Sequence, residues 1–186
     1  DEAAAAGGAA AAAARHLAEL LPPSAYREPL DALEAPPDVL TPEWVYGVRT
    51  VDARSNVHWT AGGEIIFHAA ALAVVYDPAT HAQRFFTAHT DDVLCAAVHP
   101  GRLLAATGQA GVAPFACVWD TRTSEALSVL RGAHRLGVCA VAFDASGALL
   151  ATAGLEPSHN VALWDWARGA LVGRVACGPA RLFALA

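Results

Sequence analysis

The stretch "CVWDTRTSEALSVL" covers residues 117–130, and "ALWDWARGALVGRV" covers residues 162–175. Trp119-Asp120 in the first returns as Trp164-Asp165 in the second, 45 residues later. His89 matches His134, Val98 matches Phe143 and Thr107 matches Thr152 at the same offset of 45, and Cys95 matches Cys139 at 44. Upstream, Tyr76-Asp77 precedes Trp119-Asp120 by 43. One matched dipeptide would carry little, but several matched positions in one register define an internal repeat.

The texture inside each repeat is that of strands. Short apolar runs, "VLCAAV" (93–98), "LLAATG" (103–108), "FACVW" (115–119) and "ALSVL" (126–130), are separated by turn signals such as Pro100-Gly101, the Gly108–Pro114 loop and "DTRTSE". Several runs are apolar throughout, which suits strands covered on both faces. A unit of about 43–45 residues then holds four short strands and cannot bury both faces alone. Stacked radially against like units it can, and the unit reads as a β-propeller blade.

The expected fold is therefore all-β. Blades are predicted at about Val57–Phe86, Val93–Leu130 and Val138–Val175, with "RLFALA" (181–186) as the first strand of another. The corresponding domain division is 42–92, 93–133, 134–180 and 181–186. Propellers close with roughly four to eight blades, so about three blades and a strand form an incomplete ring. Unclosed, the array leaves apolar faces and edge strands open. The expectation is that the rest of a parent chain, or a partner, completes it, and the absence of methionine points the same way.

Residues 1–41 differ. "DEAAAAGGAAAAAARHLAELL" is low-complexity alanine, and a proline-rich run follows. Alanine favours helix and proline ends it, so this region reads as a linker with one short helix at Ala9–Leu21.

Composition narrows the function. Of 186 residues, 55% are apolar and 16% charged, and the net charge is −6. Nucleic acid and anionic membranes gain no general attraction from such a chain. No apolar run reaches the roughly 18–20 residues of a membrane span. The four cysteines form no CxxC pair and read as small buried hydrophobes of a reducing compartment.

The Trp-Asp endings, the "AH" before each new blade and the period resemble the WD-repeat family. "PEWVYGVRTVDARSNVHWTAGGEIIFHAAALAVVYD" (42–77) resembles the HELP motif of the echinoderm microtubule-associated protein-like family. "RFFTAHTDDVLCAAVHP" (84–100), "ATGQ" (106–109), "LGVCAVAF" (136–143) and "VALWDWARG" (161–169) follow in that family's order, so the resemblance covers about Pro42–Ala186. It implies a buried His–Thr–Trp network in each regular blade: His89, Thr107 and Trp119, then His134, Thr152 and Trp164. The chemistry fits, because a buried imidazole and indole N–H need partners and a threonine hydroxyl both donates and accepts. The family's usual Asp in the second turn is replaced by "GQAGVAP" and "GLEPSHN", with Asn160 as the candidate substitute in the last blade.

The HELP residues Trp44, Val45, Tyr46, Gly47 and Arg49 read as packing into the propeller rather than as a partner-binding patch. In that reading Gly47 permits a close turn and Arg49 pairs with a buried acid. Asp91 and Asp92 read first as turn and cap residues at the start of a strand. The histidines at 58, 68, 81, 89, 99, 134 and 159 show no metal-ligand spacing. No GxSxG, P-loop or GxGxxG motif anchors catalysis.

The expected function is thus a non-catalytic scaffold without metal or cofactor. The resemblance implies tubulin or microtubules as partners, with other cytoskeletal or ciliary proteins, in the cytoplasm, on the cytoskeleton or in a cilium. The alternative is a general WD-repeat interaction platform. Candidate contact residues are the loop positions Asp91, Asp92, Gln109, Val112, Glu156 and His159, since loops carry function.

Overall fold

A computed structural model describes residues 40–180 together with Leu182 and Leu185. The predicted helix at Ala9–Leu21 and the linker before residue 40 lie outside the described residues, as does most of the strand expected at 181–186.

The described residues are all-β, with no helix among them. The first sheet comprises β1 (His58–Trp59), β2 (Ile65–Ala69), β3 (Leu72–Asp77) and β4 (Ala82–Phe86). The second comprises β5 (Val93–Val98), β6 (Leu104–Gln109), β7 (Phe115–Asp120) and β8 (Ala126–Arg131). The third comprises β9 (Val138–Phe143), β10 (Leu149–Gly154), β11 (Asn160–Asp165) and β12 (Ala170–Ala176). Each is a four-stranded antiparallel meander in chain order. Each sheet packs on the next, through β2 against β5 and β5 and β6 against β9, and the three do not close on themselves.

The unbroken apolar runs have their cause in this stacking. On β7, Phe115, Cys117 and Trp119 face the first sheet with Ala105 of β6, while Ala116 and Val118 face the third with Ala106. Alternate residues of a strand point to opposite faces, so a blade covered on both sides needs apolar residues at every step. Gly108 sits where the third sheet presses on the second: a Cβ there would lie 2.6 Å from Val138 Cγ1 and 2.8 Å from Cys95 Sγ of its own sheet.

The aspartate that follows each repeated aromatic closes a hairpin. Asp77 Oδ1 accepts from the Ala79 N–H at 2.8 Å, Asp120 Oδ1 from the Arg122 N–H at 2.7 Å and Asp165 Oδ1 from the Arg168 N–H at 3.1 Å. Each turn ends on a left-handed residue in the repeat register: His81 (φ 53°), Ser124 (φ 57°) and Gly169 (φ 65°). The paired Trp-Asp phrase thus combines a core residue on one sheet face with the cap of the next turn.

Candidate functional site

The two regular blades each hold a buried polar chain. In the second sheet, Trp119 Nε1 donates to Thr107 Oγ1 at 3.2 Å, and Thr107 Oγ1 lies 2.7 Å from His89 Nε2. His89 Nδ1 lies 2.9 Å from Gln109 Oε1. The Gln109 amide is fixed by donating from Nε2 to Thr90 Oγ1 at 3.1 Å and to the Ala110 carbonyl at 3.2 Å. In the third sheet, Trp164 Nε1 donates to Thr152 Oγ1 at 3.0 Å, Thr152 Oγ1 lies 2.8 Å from His134 Nε2, and His134 Nδ1 lies 3.3 Å from Glu156 Oε1.

Donation runs one way along both chains. Burial pushes His89 and His134 below the ordinary imidazole pKa, against the opposing pull of Gln109 and Glu156, so both rings are neutral at pH 7. The facing Gln109 and Glu156 oxygens only accept, so each ring carries its proton on Nδ1. Nε2 then accepts from the threonine hydroxyl, which itself accepts from the indole N–H.

Gln109 and Glu156 were expected on exposed loops as contact residues; both are buried and complete these networks. The fourth member of each chain is therefore this pair, and Asn160 instead bonds Ser158 Oγ at 3.0 Å. A signal for Gln109 was present, since it stands two residues beyond Thr107 and so on the same strand face. Glu156 was concealed. The repeat equivalent of Gln109 is Gly154, and the Glu156 carboxyl folds back into the space a Cβ at Gly154 would take, against His134 Nδ1. Replacing Glu156 by alanine leaves the buried His134 N–H without an acceptor and is expected to cost about 1–3 kcal/mol, whereas Glu156→Gln keeps the acceptor and stays within about 1 kcal/mol. Urea unfolding midpoints of the two variants check the difference.

The HELP residues lie along the first sheet. Trp44 packs on His81, with ring centroids 4.8 Å apart, and edge-on to Tyr76 at 6.2 Å. The Val45 N–H donates to Gln83 Oε1 at 2.8 Å, and its carbonyl accepts from Gln83 Nε2 at 3.0 Å. Tyr46, expected to pack, is 93% exposed, its ring centroid 6.3 Å from that of Trp44. Gly47 makes no close turn: its φ is not left-handed, and a Cβ there would meet nothing within 4 Å.

Arg49 ties this segment to two sheets. Its N–H donates to the His68 carbonyl at 3.1 Å, extending the β2 edge beyond the short β1. Its guanidinium binds Asp52 at 2.6 Å and Asp92, just before β5, at 2.8 Å. Both acids are half exposed rather than buried, since a guanidinium with carboxylates on two sides needs no burial to be held. Asp92 is thus engaged within the chain. Asp91 is exposed and its Oδ1 accepts from the Asp92 N–H at 2.7 Å. Val112 is fully exposed, and His159 is half-buried with Nδ1 3.2 Å from the Gly178 carbonyl.

Of the four cysteines expected to be buried, Cys95 and Cys117 are, whereas Cys139 is half-buried and Cys177 is exposed just beyond β12. Burial pushes the Cys95 thiol up, and the Cys117 thiol up to about 12. Among the described residues no three His, Cys, Asp or Glu side chains are grouped as metal ligands would be. The inner strands β5 and β9 border a cavity of about 370 Å³, where Asp52 is held by Arg49 and His159 by Gly178.

Repeated four-stranded blades, two of them with a buried Trp–Thr–His chain, define a WD-repeat protein of the β-propeller class. Residues 35–74 match the HELP motif model, and residues 125–165 match the WD domain, G-beta repeat model. The second match runs from β8 to the end of β11, so the sequence repeat is offset from the structural blade by one strand. Human echinoderm microtubule-associated protein-like 2 is 36% identical over 155 residues, covering 77% of this chain and 24% of that protein. The rat protein-like 1 is 35% identical over 162 residues, 81% of this chain and 20% of that protein, and the Xenopus laevis protein-like 4 is 35% identical over 153 residues, 76% and 16%. This chain is a HELP-motif and WD-repeat protein, homologous to the echinoderm microtubule-associated protein-like proteins. It spans about a quarter or less of the length of these relatives.

Proposed function

We propose that this chain serves as a non-catalytic scaffold on microtubules, binding tubulin or the polymer through a HELP/WD-repeat propeller whose ring the rest of a parent chain completes. The observation that carries this reading is the HELP segment itself. It is bound along the first sheet by Trp44, Val45 and Arg49, and the relatives that share it are microtubule-associated proteins by name. The cytoplasmic cytoskeleton, including ciliary microtubules, is the location that follows. A net charge of −6 gives no electrostatic help on an acidic polymer, so recognition rests on shape and on exposed loop residues such as Asp91 and Val112.

Co-sedimentation of the whole protein with taxane-stabilised microtubules, with co-elution of free tubulin, tests it. Binding to one form or the other that survives moderate salt is expected. A folded protein that stays in the supernatant and elutes apart from tubulin would move the function to a general WD-repeat platform for other proteins.

A further inference from the structure

All twelve basic residues of this chain are arginines. Arg49, Arg84, Arg122 and Arg168 are each paired with a carboxylate. Three others make no ion pair among the described residues and converge on the connection between β8 and β9. Arg131 stacks over the Phe115 ring at 3.7 Å, Arg135 is exposed, and Arg174 reaches from β12 to donate to the Ala133 carbonyl at 3.4 Å. That connection, the β6–β7 loop and the β10–β11 loop enclose a groove of about 780 Å³. Val112, Pro114, Leu136 and Pro157 form its apolar lining, with Arg131 and Arg135 beside them. Val112 and Leu136 are exposed to solvent.

We propose that this groove docks an acidic segment of a partner protein, with an apolar side chain set between Val112 and Leu136 and flanking carboxylates on Arg131 and Arg135. Three features carry the assignment. Val112, Leu136 and Pro157 of the apolar lining are open to water, where they gain nothing without an occupant. The arginines beside it lack the carboxylates that four other arginines of this acidic chain possess, and guanidinium groups match carboxylates in geometry as well as charge. The one acid in the lining, Glu156, is buried and turned to His134, and it makes no ion pair with Arg131 or Arg135. The stack on Phe115 and the bond to Ala133 hold Arg131 and Arg174 in place before a ligand arrives, which lowers the ordering cost of binding. A nucleic acid is disfavoured because no Phe, Tyr or Trp lines the groove to stack a base, and the net charge of −6 repels a polyanion. The inference goes beyond microtubule association and holds whichever protein supplies the segment.

The test is fluorescence anisotropy on the whole protein with labelled peptides. One peptide interleaves leucine with glutamate, a second has glutamine for glutamate, and a third has serine for leucine. The first is expected to bind, more weakly as salt rises, and the other two about tenfold less tightly or worse. Arg135→Glu and Val112→Ser, both on exposed side chains, are expected to weaken the first peptide at least about fivefold with thermal unfolding unchanged. No binding of the first peptide, equal binding of all three, or variants that bind as the parent does would overturn the proposal. So would a single-stranded oligonucleotide that binds as tightly and is lost in the same variants.

Discussion

Trp119→Ala is expected to lower stability by about 3–5 kcal/mol, the range for removing a fully buried large aromatic. The indole is wholly buried and lies flat on Phe86, with centroids 4.8 Å apart and planes 8° from parallel. Phe86 belongs to β4 and Trp119 to β7, so the stack joins the first sheet to the second. Trp119→Ala therefore opens a cavity between blades as well as removing the donor to Thr107. Trp119→Phe separates the two effects: it keeps most of the contact with Phe86 and loses a hydrogen bond worth about 0.5–1.5 kcal/mol, along with part of the ring volume. Trp164 makes the same bond to Thr152, but none of the aromatic contacts of the described residues involves it. Trp164→Ala is accordingly expected to cost less. Urea unfolding of the three variants gives the order, and equal losses for the two alanine variants would show that the Phe86 stack contributes nothing.

The same two tryptophans show how far the sequence could be read. Their spacing and the recurring His and Thr define the blade, because a radial array repeats its core contacts at a fixed interval. The all-β fold was legible for that reason, and so was the Trp–Thr–His grouping once the family resemblance was drawn. What could not be read was where a side chain turns after its strand ends. Glu156 and Gln109 lie in stretches with the composition of surface loops, yet both fold inward. In one case a glycine, Gly154, vacates the repeat position, and in the other the strand continues far enough to aim Gln109 at the ring. Spacing alone does not report a carboxyl that crosses two residues to fill a neighbour's missing Cβ. Tyr46 failed for the converse reason. Two aromatics flanking a valine suggest packing, but the edge of the first sheet takes Trp44 and the Val45 backbone, and Tyr46 is left exposed.

Acidification from about pH 7 to about pH 4 is expected to destabilise the protein by about 3 kcal/mol through His68 alone. His68 on β2 is fully buried, and neither ring nitrogen makes a hydrogen bond of ordinary length. Burial comes first in lowering its pKa from 6.5 to about 4. The Arg49 charge and His58 add to the effect, and a weak contact with the Val93 backbone and the Asp52 charge oppose it. In the unfolded chain the ring takes up its proton near 6.5, while in the folded protein it does so only near 4. The unfolded state thus binds more protons between these values. Stability is intact above about pH 6.5, falls through the window and levels off below about pH 4. His89 and His134, also lowered by burial, add to the loss in the same direction. Four aspartates contribute outside the window. Asp52, Asp77, Asp120 and Asp144 are held below the ordinary 3.8, foremost by hydrogen bonds from Arg49, Thr80, the Arg122 N–H and Ser146, so their contribution is lost only under more acidic conditions. His68→Leu isolates the effect. Leucine has a similar volume and forfeits no hydrogen bond of ordinary length, so it is expected to hold stability at neutral pH and to remove most of the loss at about pH 4. Urea midpoints at the two pH values for the parent and the variant decide it, and a variant that loses as much as the parent would locate the acid sensitivity in His89 and His134 instead.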